Sequence, residues 1–164
     1  MERKKKIQII ALLVAIFATL AFIFGNSLEP VEKSLESSNG IYDTVKPTLD
    51  AVFGEGKVTS SVFRQSAHFI EFFILGLEVA VLYYVAFDLK KERWVDLVSA
   101  GLFVAVIDES LQMLTDRGPE IPDVLIDYSG YLIAVICIVA LTFIIKYIKK
   151  KKNEKKNLEN SASE

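Results

Sequence analysis

DVLIDYSGYLIAVICIVALTFIIKY, residues 123–147, decides the fold class. From residue 128 to residue 145 it carries no charge, close to the roughly 20 apolar residues that a helix needs to cross a hydrocarbon core. Inside hydrocarbon each unpaired backbone group costs several kcal/mol, so the chain must satisfy its own N–H and C=O groups, and a helix does this within one segment. Three other stretches meet the same test. Residues 7–24 hold no charged side chain, and 66–88 is apolar from 69 to 87 except at Glu71 and Glu78. The stretch 94–114 is interrupted by Asp96, Asp108, Glu109 and Gln112 and is the weakest of the four. The expectation is an all-α integral membrane protein, a bundle of four transmembrane helices over residues 1–148.

Composition agrees: 52% of the 164 residues are apolar, and the net charge of −2 hides a segregation of charges along the chain. Fourteen of the 19 basic residues lie at the N-terminal tip, in the turn holding Lys90, Lys91 and Arg93, or between Lys146 and Lys156. In a four-span chain these places share one side, which the positive-inside rule makes the cytoplasm, so both termini are expected there. Lys33, Lys46, Lys57, Arg64 and Arg117 share the other side with 13 acids. No basic stripe remains for a nucleic acid, and the single cysteine, Cys137, lies in an apolar run and supports neither a disulfide nor a thiolate metal site.

The first run follows Arg3, Lys4, Lys5 and Lys6 and so also has the opening of a secretory signal. Its length and the bulky Phe22, Ile23 and Phe24 at its end favour an uncleaved anchor. The outer loop, 25–62, is long for a connection without structure of its own. Within it Ile41, Val45, Leu49, Val52 and Phe53 recur at helical spacing, which predicts a short amphipathic helix lying on the outer surface or capping the bundle. Residues 149–164 read as a basic, structureless cytoplasmic tail. Gly76, Ser99, Gly101, Gly130 and Ala134 are expected where helices pack closely, because small side chains let backbones approach.

The chemistry gathers at one end of the bundle. Arg64, His68 and Glu71 are four and three residues apart and share a helix face, with Glu78 deeper on the same stripe. Asp108, Glu109 and Gln112 close the third span at the same surface, and Asp123 and Asp127 open the fourth, after Pro122. Each ionised carboxylate in a helix interior costs about 2.5–3.5 kcal/mol on insertion scales, so such a gathering requires partners or a function. Plainer readings stand beside this one. Asp123 suits the positive end of the helix dipole, Arg64 suits a lipid phosphate, His68 suits a packing position beside a carboxylate, and Glu78 suits a neutral core acid or a separate proton path.

The ordered set Arg64-x3-His68-x2-Glu71, Asp108-Glu109-x2-Gln112 with Arg117 five residues on, and Asp123-Val-x2-Asp127-x2-Gly130 resembles the VanZ-like membrane protein family. Met113-Leu-Thr-Asp-Arg117 stands where that family usually has Phe-Val-Pro-Gly-Arg, and Ala134 and its neighbours stand where a second glycine often follows. The resemblance implies a multi-pass protein of the bacterial cell membrane, in a family whose namesake lowers susceptibility to the glycopeptide teicoplanin in Gram-positive hosts. It defines no reaction.

The first expectation for function is therefore an outer-leaflet pocket that binds or modifies a glycopeptide, a lipid-linked wall precursor or a phospholipid headgroup. Arg64, Gln112, Arg117 and Asp123 would hold the substrate, and His68, Glu71, Asp108, Glu109 and Asp127 would carry acid–base work. The carboxylates are also able to hold Mg2+ or Mn2+, though one histidine does not specify a metal. Two alternatives come from other classes: a small proton-coupled transporter module, which needs a polar path beyond Glu78, and a scaffold in which the charges only pair with one another.

Overall fold

The computed structural model describes residues 2–115 and 120–161, with side chains in the last helix described as far as residue 155. Five α-helices follow in order: α1 (Glu2–Ser27), α2 (Val31–Phe53), α3 (Ser60–Phe87), α4 (Trp94–Gln112) and α5 (Ile121–Ser161), with 3-10 turns Lys91–Arg93 and Met113–Thr115 flanking α4. There is no strand among the described residues. Helices α1, α3, α4 and α5 are long and apolar enough to cross a membrane, and the protein is a multi-pass membrane protein.

The expected 66–88 span begins earlier, because Thr59 accepts a hydrogen bond from the Val62 N–H at 3.3 Å and so caps α3 at its first turn. At its other end α3 stops at Asp88 in the left-handed conformation, and Asp88 is held by Lys146 of α5 at 2.9 Å. The turn between α2 and α3 needs positive φ at Gly54 (98°) and Gly56 (69°), which glycine adopts without steric cost.

Helix α2 fills most of the outer loop and is longer than the short helix expected from the apolar spacing. It buries no residue. Tyr42 ties it to the start of α3, donating to the Val58 carbonyl at 2.7 Å and meeting the Phe63 ring at 5.8 Å. Ile41, Val52 and Phe53 remain exposed.

The four spans form a ring in which α1 touches α3 and α4, and α5 touches the same two; α3 and α5 share the most extensive contact. Both run from the same end, and glycines set their distance. A Cβ at Gly130 would strike the Phe69 carbonyl, and one at Gly76 would strike the Tyr131 carbonyl and the Ala134 side chain. Gly101 of α4 leaves room for the Tyr131 ring, whose hydroxyl donates to the Leu97 carbonyl at 2.7 Å. Gly76, Gly101, Gly130 and Ala134 thus sit where helices meet, as expected. Ser99 does not: it is exposed and its hydroxyl returns to the Val95 carbonyl at 2.6 Å.

Around Tyr131 the core is apolar, built from Ile23, Phe72, Leu75, Ala80, Leu97, Ala105 and Val135. The residues with the largest exposed apolar surface, such as Phe17, Phe103 and Phe143, point outward, as a bundle surrounded by acyl chains requires. Beyond residue 149, where a structureless tail is expected, α5 continues as helix to Ser161. Lysine, glutamate and leucine are good helix formers, no glycine or proline interrupts them, and Lys150 approaches Glu154 one turn on at 3.9 Å.

Candidate functional site

At the end of the bundle where α1 and α4 finish and α3 and α5 begin, buried polar side chains collect. Among the described residues the buried polar set is Ser27, Asp108, Glu109, Gln112 and Asp127, all at this end, with Asp108 0% and Asp127 1% exposed. Half-buried His68, Glu71 and Asp123 join them.

Asp108 is the best-held of these groups. Ser27 of α1 donates to its Oδ1 at 2.5 Å, and Gln112, one turn further along α4, donates to its Oδ2 at 3.2 Å. One ligating atom each from His68, Asp108 and Asp127 lies within 4.8 Å of the others, so α3, α4 and α5 meet at this point. Asp127 is close enough to Asp108, Asp123, Glu109 and Glu71 to feel their charges. Its own carboxylate makes no hydrogen bond with a described residue, and Oδ1 is fully buried. Glu71 accepts from Asn26 of α1 at 3.2 Å and keeps its other oxygen buried without a hydrogen bond. The Glu120 backbone N–H donates to Glu109 Oε1 at 2.5 Å, so one oxygen of Glu109 joins α4 to the approach of α5.

Convergence is expected of His68, Glu71, Asp108, Gln112, Arg117 and Asp127, and the five of these that are described lie together at this end. Glu109 and Asp123 lie at its edge, within reach of each other's charge. Arg64, one turn before His68, is half-buried and forms no ion pair within 4 Å of a described carboxylate. Arg117 lies outside the described residues. No described lysine or arginine pairs with Glu71, Glu109, Asp123 or Asp127. Each carboxylate kept ionised in a helix interior costs about 2.5–3.5 kcal/mol, offset in part for Glu71 and Glu109 by the hydrogen bonds they accept. Protons or a cation would relieve that cost.

Helix α1 is the part that sequence reasoning missed. Asn26, Ser27 and Thr19 each donate to an acid, the last to Glu78 at 3.1 Å, and the Ser27 carbonyl accepts from Thr115 at 3.4 Å. Glu78 is thus a hydrogen-bonded acid, seven residues and so about two turns beyond Glu71. Beyond it, among the described residues, the buried core carries no charged or amide side chain. A groove of about 280 Å³ on the flank of the bundle, lined by Ala18, Thr19, Phe22, Glu71 and Ile74, leads to Glu71 between α1 and α3. A groove of about 530 Å³, between α4 and α5 around Trp94, Leu97 and Val139, is apolar and lies toward the opposite end.

Four apolar helices closed around a carboxylate-rich cluster at one end define a class: a small polytopic membrane protein with a polar site near one membrane face. Within that class the chain belongs to the VanZ/LLP1 family, whose sequence model matches residues 9–145 and so reaches into all four spans. No curated protein and no solved structure matches the chain.

Proposed function

We propose that this VanZ-like protein presents the cluster at the outer leaflet of the bacterial cell membrane, where it binds or modifies the headgroup of a membrane-anchored amphiphile and thereby lowers glycopeptide susceptibility. The observation that carries the reading is that His68, Asp108 and Asp127 meet at one end of the bundle, beside a flank groove whose apolar wall ends at Glu71. An acyl chain lying on Ala18, Phe22 and Ile74 would bring its headgroup to the carboxylates. Lipid-linked wall precursors and phospholipids have this form. The buried core beyond Glu78 favours a closed pocket over a proton path through the bundle.

The orientation rests on the segregation of basic residues, which puts both termini in the cytoplasm and α2 outside. With Cys137 replaced by serine, a cysteine introduced at Ser38 is expected to react with an impermeant maleimide in intact cells. One introduced at Lys152 is expected to react only after permeabilisation. The reverse pattern would turn the protein over and remove the outer-leaflet reading.

The functional test is overproduction in a susceptible Gram-positive host. The expected result is a rise of several-fold in the teicoplanin concentration that stops growth, absent with His68→Ala at equal membrane abundance. A native protein that changes no susceptibility would assign the cluster to another envelope lipid or to scaffolding.

A further inference from the structure

We infer that His68, Asp108 and Asp127 hold one first-row divalent cation, Zn2+ or Mn2+, between α3, α4 and α5. Three helices each bring one ligating atom to a common point, and those atoms lie within 4.8 Å of one another. Ligand atoms of a tetrahedral site with bonds of about 2.1 Å stand about 3.4 Å apart, so side-chain shifts of about an ångström close the set.

The second observation is Asp127 itself. It is 1% exposed and makes no hydrogen bond with a described residue. A carboxylate so buried, facing another carboxylate and an imidazole, has the form of a ligand whose partner is a cation. Its neighbour Asp108 is oriented as metal carboxylates are, by outer hydrogen bonds: Ser27 holds one oxygen and Gln112 the other. The donor set narrows the cation. One imidazole with two carboxylates suits Zn2+ or Mn2+, whereas Mg2+ and Ca2+ favour oxygen alone. With three protein ligands, a fourth position stays open for water or for a phosphate or carboxylate oxygen of a ligand. The cation goes beyond the headgroup reading and stands without it.

The test uses the full chain purified in detergent through an affinity tag free of histidine, since His68 is the only one in the sequence. The expected result is about one Zn2+ or Mn2+ per chain by elemental analysis. After chelation, Mn2+ should rebind with loss of its free-ion electron paramagnetic resonance signal, and Zn2+ should compete for the same site. Asp127→Asn and His68→Gln should weaken binding by about 100-fold or more, and Ser27→Ala, which frees Asp108 to rotate, by about tenfold. Glu78→Gln should bind as the native chain does. If Asp127→Asn fails to fold, His68→Gln and the rise in melting temperature of the native protein on adding metal carry the same test. A native chain that takes up neither ion overturns the inference, as does equal binding by both ligand variants. Protection of cells by a chain that binds no metal overturns the cation and leaves the headgroup reading. Metal binding without protection supports the cation and counts against that reading.

Discussion

Gly130→Val is expected to abolish the folded protein, leaving no monodisperse species after detergent extraction. A Cβ at this position meets the carbonyl oxygen and carbon of Phe69 and the amide nitrogen of Phe73, all backbone atoms of α3. No rotamer change relieves such a clash, so α3 and α5 must separate, and theirs is the largest contact in the bundle. Overpacking a core costs about 1–3 kcal/mol when side chains can yield; here they cannot, and the loss should exceed that range. In the separated pair Asp127 also leaves His68. The contrast is Gly40→Ala on α2, where a Cβ meets nothing within 4 Å. There alanine should add about 1 kcal/mol of helix stability. Size-exclusion profiles and melting curves of the two variants check the pair. A Gly130→Val protein that melts like the native one would mean that α3 and α5 do not touch as described.

Asp108→Asn is expected to remove glycopeptide protection completely while leaving the protein at least as stable as the metal-free native form. Asparagine has the same shape, still accepts from Ser27, and can pair with a flipped Gln112 amide. It also removes a charge that costs about 2.5–3.5 kcal/mol inside a membrane. Stability and activity should therefore move apart, which a merely structural carboxylate would not produce. Susceptibility, membrane abundance and melting temperature measured on the same preparations give the answer. Full protection by Asp108→Asn would make the cluster structural and favour the scaffold.

The four spans were legible because apolar runs of sufficient length admit few other folds, and the acids were legible because each is conspicuous in such a run. His68, Asp108 and Asp127 could be placed at one depth by counting residues from the span ends. Asn26 and Ser27 could not. Neutral polar residues at the end of a span are ordinary, and their service to Glu71 and Asp108 depends on the rotation of α1 about its axis, which no spacing encodes. Gly76, Gly101 and Gly130 were correctly read as packing positions, but Ser99 has the same small size and faces outward; size alone does not say which face of a helix meets a neighbour. Apolar spacing in α2 marked one stripe and not the full length, because helix ends are set by capping and turn residues. The continuation of α5 was hidden because charge density argued for a structureless tail while lysine and glutamate propensity argued for a helix.

The groove on the flank between α1 and α3 changes the kinetics that any ligand of Glu71 would follow. A guest that arrives sideways searches in two dimensions and never has to leave the lipid. Its effective concentration is then its mole fraction in the leaflet, indifferent to the volume of the medium. A soluble headgroup stripped of its acyl chain would compete poorly, however well it fits the carboxylates. Bilayer thickness and fluidity, which govern how readily Phe22 and Ile74 shed a neighbouring lipid, would act on occupancy as directly as any residue of the site.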